Sequence, residues 1–214
     1  NNDILYLSAS KIENYNKCQL RYKYSSLDAI PGFKYNSVFV LGNIIHKVLQ
    51  DFHESSLNTY DEMVGLLDKY WSEKLYSYSC ESRQYYLDAK NMLVNYFAYL
   101  GKNPPSPILF EYFFKIKMKD YILSGVIDRV DIDSNGKITI YDYKTSKTQK
   151  TTNQIKKNFQ LPIYALAIYS LGESMHESIA NHSYPILAGE LSVRFSDLER
   201  VVEFSELEIQ ELES

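Results

Sequence analysis

The spacing of apolar positions divides this chain into a helical first half and a sheet-rich second half. Val38, Leu41, Ile45, Val48, Leu49 and Phe52 recur at helical intervals through VFVLGNIIHKVLQDFHE. Two further amphipathic segments, near 60–77 and 82–101, read as helices. Upstream, LSASKIENYNKCQLRYKYSSL offers Ile12, Tyr15, Leu20 and Tyr22 or Tyr24 as an apolar face. Ser10, with Glu13 three residues on, fits the N-terminal capping pattern there. Pro31-Gly32 breaks this region, and GKNPPSP at 101–107 marks the main boundary, because prolines stop helices and favour extended chain.

Beyond that boundary the pattern changes. ILFEYFFKIKM (108–118) is aromatic and β-branched, as a strand is. Strands at 121–132 and 137–145 flank a turn at 133–136. The segment 153–171 reads as helix interrupted by Pro162. Short strands near 186–195 and 199–204 follow, and a charged helix starts at 205. This order predicts an α/β (α+β) fold, a mixed central sheet with helices packed on it. The helical region is 1–104 and the sheet region 105–214, with no internal repeat.

SGVIDRVDIDSNGKITIYDYKTSK (124–147) breaks the apolar pattern with acids, and an unpaired buried carboxylate is expensive. Side chains alternate along a strand, so the turn length decides where the acids point. A three-residue loop Ser134-Asn135-Gly136, with Gly136 left-handed, pairs Asp133 with Lys137 and sets Asp128 opposite Asp142. Val126, Asp128, Val130 and Ile132 then share a face with Ile138, Ile140, Asp142 and Lys144. A two-residue loop would instead split the acids between faces. Like charges directly opposite are unfavourable in a sheet. A hard divalent cation reverses that, since carboxylate oxygens are its natural ligands. An ion-paired hairpin in which Lys144 satisfies both acids accounts for the pattern equally well.

Composition adds limits. Of 214 residues, 45% are hydrophobic and 23% charged, as in ordinary globular proteins. No apolar run approaches the ~20 residues that span a bilayer, and no signal peptide is visible. The chain lacks an initial Met and ends in SELEIQELES, so it reads as a piece of a longer polypeptide. Cys18 and Cys80 form no spaced framework, which suits a reducing cytoplasm. The net charge of −4 argues against coating of nucleic acid by bulk electrostatics. A local basic track remains: Lys144, Lys147, Lys150, Lys156 and Lys157 lie in 143–172, which contains no acid.

Taken in order, GNIIHKVLQDFHE, SGVIDRVDI, IYDYKTSK and FQLPIYALAIY resemble the nuclease signature of the RecB family within the PD-(D/E)xK superfamily. The opening LSASKIENYNKCQLRYKY is similar to the start of such nuclease domains in AddB-type helicase–nucleases and CRISPR-associated RecB-like nucleases. The resemblance runs from about residue 7 to about 170. It implies a restriction-endonuclease-like core and a Mg²⁺- or Mn²⁺-dependent deoxyribonuclease, exonuclease ranked ahead of endonuclease, in repair, recombination or defence.

The same resemblance assigns the site. His46, Asp128, Asp142 and the Tyr143 carbonyl match metal ligands. Asp128, Asp142 and Lys144 match the catalytic set, with Lys144 on the attacking water or the phosphate. Gln160 and Tyr164 match a DNA-positioning motif, and Lys147 falls on the basic track that would follow DNA. Cys18 matches one ligand of the iron–sulfur branch, whose other three cysteines would have to lie beyond these residues. DNA and a helicase domain or subunit are the implied partners, with no membrane. No phosphate-binding loop of a helicase is present. Glu111 reads as an acid behind the ligands, His53 as surface, and Arg129 and Asp131 as structural. The rival is a non-catalytic DNA-binding or scaffolding module that keeps the fold, and a third option is a different metallohydrolase.

Overall fold

The computed structural model describes residues 4–28, 37–76, 78–179 and 183–213. The Pro31-Gly32 break lies outside them. The architecture is the expected mixed sheet flanked by helices, with six strands: β1 (Leu5–Leu7), β2 (Pro107–Lys117), β3 (Tyr121–Ile132), β4 (Lys137–Lys144), β5 (Ser183–Ser192) and β6 (Glu199–Phe204). The hub is β3. It pairs antiparallel with β2 along most of its length. Its other edge is shared, parallel with β1 at Tyr121–Leu123 and antiparallel with β4 at Arg129–Ile132. β4 then runs parallel to β5, and β5 antiparallel to β6. Residues 124–128 of β3 thus lie between the end of β1 and the end of β4, and the candidate site forms at this gap.

The helices are α1 (Ala9–Lys17), α2 (Gln19–Tyr22), α3 (Ser37–Glu54), α4 (Tyr60–Tyr70), α5 (Ser79–Leu100), α6 (Thr152–Lys156), α7 (Gln160–Met175) and α8 (Glu206–Glu213). Each face of the sheet carries its own core. On one, α7 packs Leu161, Ile163, Leu166 and Ile168 with Val130, Ile138 and Ile140. On the other, α3 supplies the predicted stripe Leu41, Ile45, Val48, Leu49 and Phe52 against Met63, Leu67, Leu93, Tyr96 and the sheet residues Tyr141, Tyr143 and Leu191. Val38, the first member of that stripe, is exposed. No helix among the described residues is long and apolar enough to cross a membrane.

The β3–β4 turn has the three-residue form. Gly136 sits at φ 77°, and the Asp133 amide donates to the Lys137 carbonyl at 3.0 Å. The Asp133 carboxylate accepts from the amides of Asn135 and Lys137 at 2.8 and 2.9 Å, which fixes the loop. Arg129 pairs with Tyr141, so the register continued by one residue sets Asp128 opposite Asp142.

Several expectations need correction. The N-cap of α1 is Ser8, whose hydroxyl accepts from the Lys11 amide; Ser10 lies inside the helix. No residue of α1 or α2 is fully buried, and Tyr15, Leu20 and Tyr24 are exposed; of the predicted stripe only Ile12 packs against the α7 core. The helix near 60–77 stops at Tyr70, after a Thr59/Glu62 capping box at its start. The segment 153–171 is two helices, broken before Pro162 rather than at it. Pro162 is the third residue of α7, where a missing N–H costs no intrahelical bond. β1 was not foreseen.

The strict face alternation along β3 also fails. Ile127 and Val130 share one core while Val126 is exposed, so Val126 is not on the face of Val130. The switch falls at Asp128. On the neighbouring strand Glu111 adopts a left-handed backbone, φ 43°, which re-aims β2 at the same level.

Candidate active site

A row of acids crosses the sheet at the gap. Register sets Glu111 of β2 opposite Asp128, because Phe110 pairs with Arg129 and Tyr112 with Ile127. Asp128 in turn faces Asp142 of β4, and Asp142 faces Glu190 of β5. Asp128, Asp142 and Glu190 are buried. Asp142 is paired with the Lys144 ammonium and accepts from the Gln160 amide at 2.6 Å. Glu190 is paired with Lys150 at 2.8 Å. Asp128 accepts from the Tyr143 amide at 2.7 Å. Glu111, Asp128, Asp142 and Glu190 thus form a line of carboxylates on adjacent strands.

α3 lays His46 across the Glu111 end of this row. Its Nδ1 lies 3.5 Å from Glu111 Oε1 and 3.5 Å from Asp128 Oδ2, and its Nε2 lies 3.0 Å from the Tyr143 carbonyl oxygen. One donor atom from each of His46, Glu111 and Asp128 falls within 4.8 Å of the others. Electrostatics reflect the crowding. Burial lowers the His46 pKa, but Glu111, Asp128 and Asp142 outweigh it and raise it to about 9. Burial, and then the charge of Asp142, lift Asp128 to about 7, against the pull of His46 and the Tyr143 amide. This cluster favours a cation, and its nitrogen-plus-carboxylate donors fit a divalent metal.

The family-matched residues fall into two adjacent groups. His46 and Asp128 meet at the Glu111 end. Asp142 and Lys144 meet with Gln160, whose Oε1 accepts from Lys144 at 2.9 Å and whose amide also donates to the Tyr164 hydroxyl at 2.8 Å. Gln160 and Tyr164 are one turn apart on α7 and share a face. Burial lowers the Lys144 pKa, yet Asp142, Asp128 and Glu190 together raise it. A groove of about 320 Å³, lined by Ser8, Ser124, Gly125, Asp128, Gln160 and Tyr164 among others, opens onto both groups. Gly125 is needed there: a Cβ would meet Phe114 at 2.8 Å.

Arg129 and Asp131 point to the other core, as expected. Arg129 is 1% exposed and holds Asp131 through two bonds of 2.5 and 2.6 Å. It also donates to the Tyr96 hydroxyl at 2.6 Å and lies over the Tyr141 ring. His53 is not a surface residue: Nε2 is 2.7 Å from the Tyr96 hydroxyl and the ring stacks on Phe110. Burial, and then the Arg129 charge, push its pKa down to about 3.

The basic track is less free than its sequence suggests. Lys144, Lys150 and Lys156 are engaged by Asp142, Glu190 and Glu208, acids brought by the fold. Lys147 is exposed beside Asp88 and Arg194. Cys18 is exposed at the junction of α1 and α2. Glu111 is the site residue that sequence reasoning undervalued. The signal was available only as an acid in an aromatic strand, since its aim depends on a backbone twist that residue spacing does not encode.

Comparison with known proteins gives a family match. The model described as the PD-(D/E)XK nuclease superfamily matches residues 6–213. No curated protein matches. Among solved structures, one that matches is a "Putative exonuclease" from Eubacterium rectale, 12% identical, with a TM-score of 0.52, over 96% of this chain and 75% of that one. At that identity the likeness bears on the fold alone.

Proposed function

The chain belongs to the PD-(D/E)XK nuclease superfamily, and from that premise we propose that it is a divalent-metal-dependent deoxyribonuclease of the RecB-like branch. The observation that carries the reading is the convergence of His46, Glu111 and Asp128 beside the Asp142–Lys144–Gln160 group. His46, Asp128, Asp142 and the Tyr143 carbonyl hold Mg²⁺ or Mn²⁺ in this reading. When bound, the cation supplies Lewis acidity toward the phosphodiester and acidifies water near it.

The remaining steps belong to side chains. Lys144, kept charged by its acidic neighbours, orients water or meets the phosphate oxygen on which charge develops. Gln160 holds Lys144 and Asp142 at fixed separation. Tyr164 backs Gln160 at the groove, and Lys147 contacts backbone phosphate. Residues 1–104 and 105–214 act together as one nuclease domain, exonucleolytic in preference to endonucleolytic, served by a helicase on the same or another polypeptide.

Incubation with single-stranded and duplex DNA in Mn²⁺ tests this. Cleavage that stops with chelator is expected. A domain that binds DNA but leaves it intact is instead a scaffolding module, and one that binds metal but spares DNA is another metallohydrolase.

A further inference from the structure

We propose that Glu111 is a direct metal ligand, and that the cation sits on the Nδ1 side of His46, between Glu111 and Asp128. The inference rests on the metal-dependent reading above. It differs from the set implied by resemblance, which includes the Tyr143 carbonyl and leaves Glu111 out.

Three features of Glu111 carry a cost, and among the described residues only the His46 ring, 3.5 Å away and shared with Asp128, stands against them. Its backbone is left-handed in mid-strand, a conformation that non-glycine residues rarely adopt. It lies directly opposite another acid, Asp128, across the β2–β3 ladder. Its Oε1 is buried and makes no hydrogen bond, with His46 Nδ1 too distant at 3.5 Å to serve as one. A residue kept only for stability would not combine these.

The rest of the acid row sharpens the point. Asp142 has Lys144 and Glu190 has Lys150. Glu111 and Asp128 share only one histidine, equidistant from both at 3.5 Å. Donor atoms held at ~2.0–2.2 Å around one cation stand ~3–3.6 Å apart; the two His46–carboxylate distances of 3.5 Å match that spacing, and all three donor atoms lie within 4.8 Å of one another.

His46 is oriented for this role. With Nε2–H donating to the Tyr143 carbonyl at 3.0 Å, Nδ1 is the nitrogen that faces the two carboxylates, and a cation bound there takes the place of its proton. A ligating histidine ordinarily gives its other N–H to such an acceptor. The Tyr143 carbonyl is then the anchor of the histidine, and the strained turn at Glu111 is what brings the third side chain to the cation.

Mn²⁺ binding to the domain without DNA, followed by calorimetry and by the Mn²⁺-induced rise in melting temperature, tests the assignment apart from activity. Glu111→Gln keeps the shape and removes the charge. Glu111→Gly also relaxes the backbone. Both are expected to weaken Mn²⁺ by at least about tenfold and to shrink the metal-induced rise, with the metal-free melting temperature unchanged or higher. Either folded variant binding Mn²⁺ as the wild type does overturns the inference. So does the pattern of a brace, a lower metal-free melting temperature with unaltered affinity. Wild-type protein that takes up no Mn²⁺ overturns the metal-dependent reading as well.

Discussion

Neighbouring residues of β3 build two opposite kinds of polar cluster. Arg129 and Asp131 face the α3–α5 core, where the Arg129 guanidinium finds Asp131, Tyr96 and the Tyr141 ring, and the Tyr96 hydroxyl also meets His53 and Tyr143. Asp128, one residue away, faces Glu111, His46 and Asp142, with more negative charge than its neighbours neutralise. The first cluster is closed: its charges are paired and its hydroxyls bonded. The second is open at one end, where Glu111 Oε1 has no bond. Buried polar networks rigidify a fold when satisfied and are costly when not. The contrast separates residues that hold the sheet from residues poised for a ligand, although both groups are buried and charged and lie in one tetrapeptide, Asp128–Asp131.

The largest effects should divide along that line. At the open cluster, Lys144→Ala and Asp142→Ala are each expected to cut Mn²⁺-dependent DNA cleavage by about a thousandfold. Asp142→Ala, which takes a carboxylate out of the acid row, should leave the melting temperature close to wild type, whereas Lys144→Ala leaves the buried Asp142 without its cation and should lower it without unfolding the domain. Full activity in either would refute the catalytic assignment. At the closed cluster the outcome reverses. Arg129→Met leaves Asp131 buried without its partner and should cost ~3–5 kcal/mol in urea unfolding. The double variant Arg129→Met/Asp131→Asn should recover most of that loss. If Arg129→Met alone unfolds like wild type, the closed network is not what holds this part of the sheet.

Much of this division was legible in the residues, and the limits have physical causes. The hairpin register followed from loop length and Gly136, because a two-residue period makes one residue of slip decisive. His46, Asp128, Asp142, Lys144, Gln160 and Tyr164 were readable as a set through the resemblance to the RecB-like nuclease signature, and the fold brings them to one gap in the sheet. Strand β1 was not readable: three residues carry too little periodicity, and its pairing with Leu123 spans more than a hundred positions. Glu111 and Val126 were misjudged for a common reason. The left-handed backbone at Glu111 breaks alternation on β2 at the level where β3 also switches faces. His53 was misread because a lone polar residue near a helix end gives no sign of Tyr96 or Phe110, which arrive from other elements.

His53 also provides the smallest and most specific test of whether the Arg129 cluster is closed. Packed among Phe52, Tyr96 and Phe110 and repelled by Arg129, it resists protonation down to about pH 3, whereas the unfolded chain takes up that proton near pH 6.5. The unfolded state therefore binds more protons between those values, and stability falls as pH drops through that window and is flat above it. His46 and Asp128 have raised pKa values and contribute slopes of the opposite sign, so only a difference isolates His53. In His53→Phe the ring stack on Phe110 survives, and Tyr96 keeps Arg129 and Tyr143 as partners. The variant should gain on the wild type by up to about 2 kcal/mol between pH 7 and pH 5, read from urea midpoints. Parallel curves would mean that His53 protonates freely in the folded protein, and that the cluster opens to water on that side.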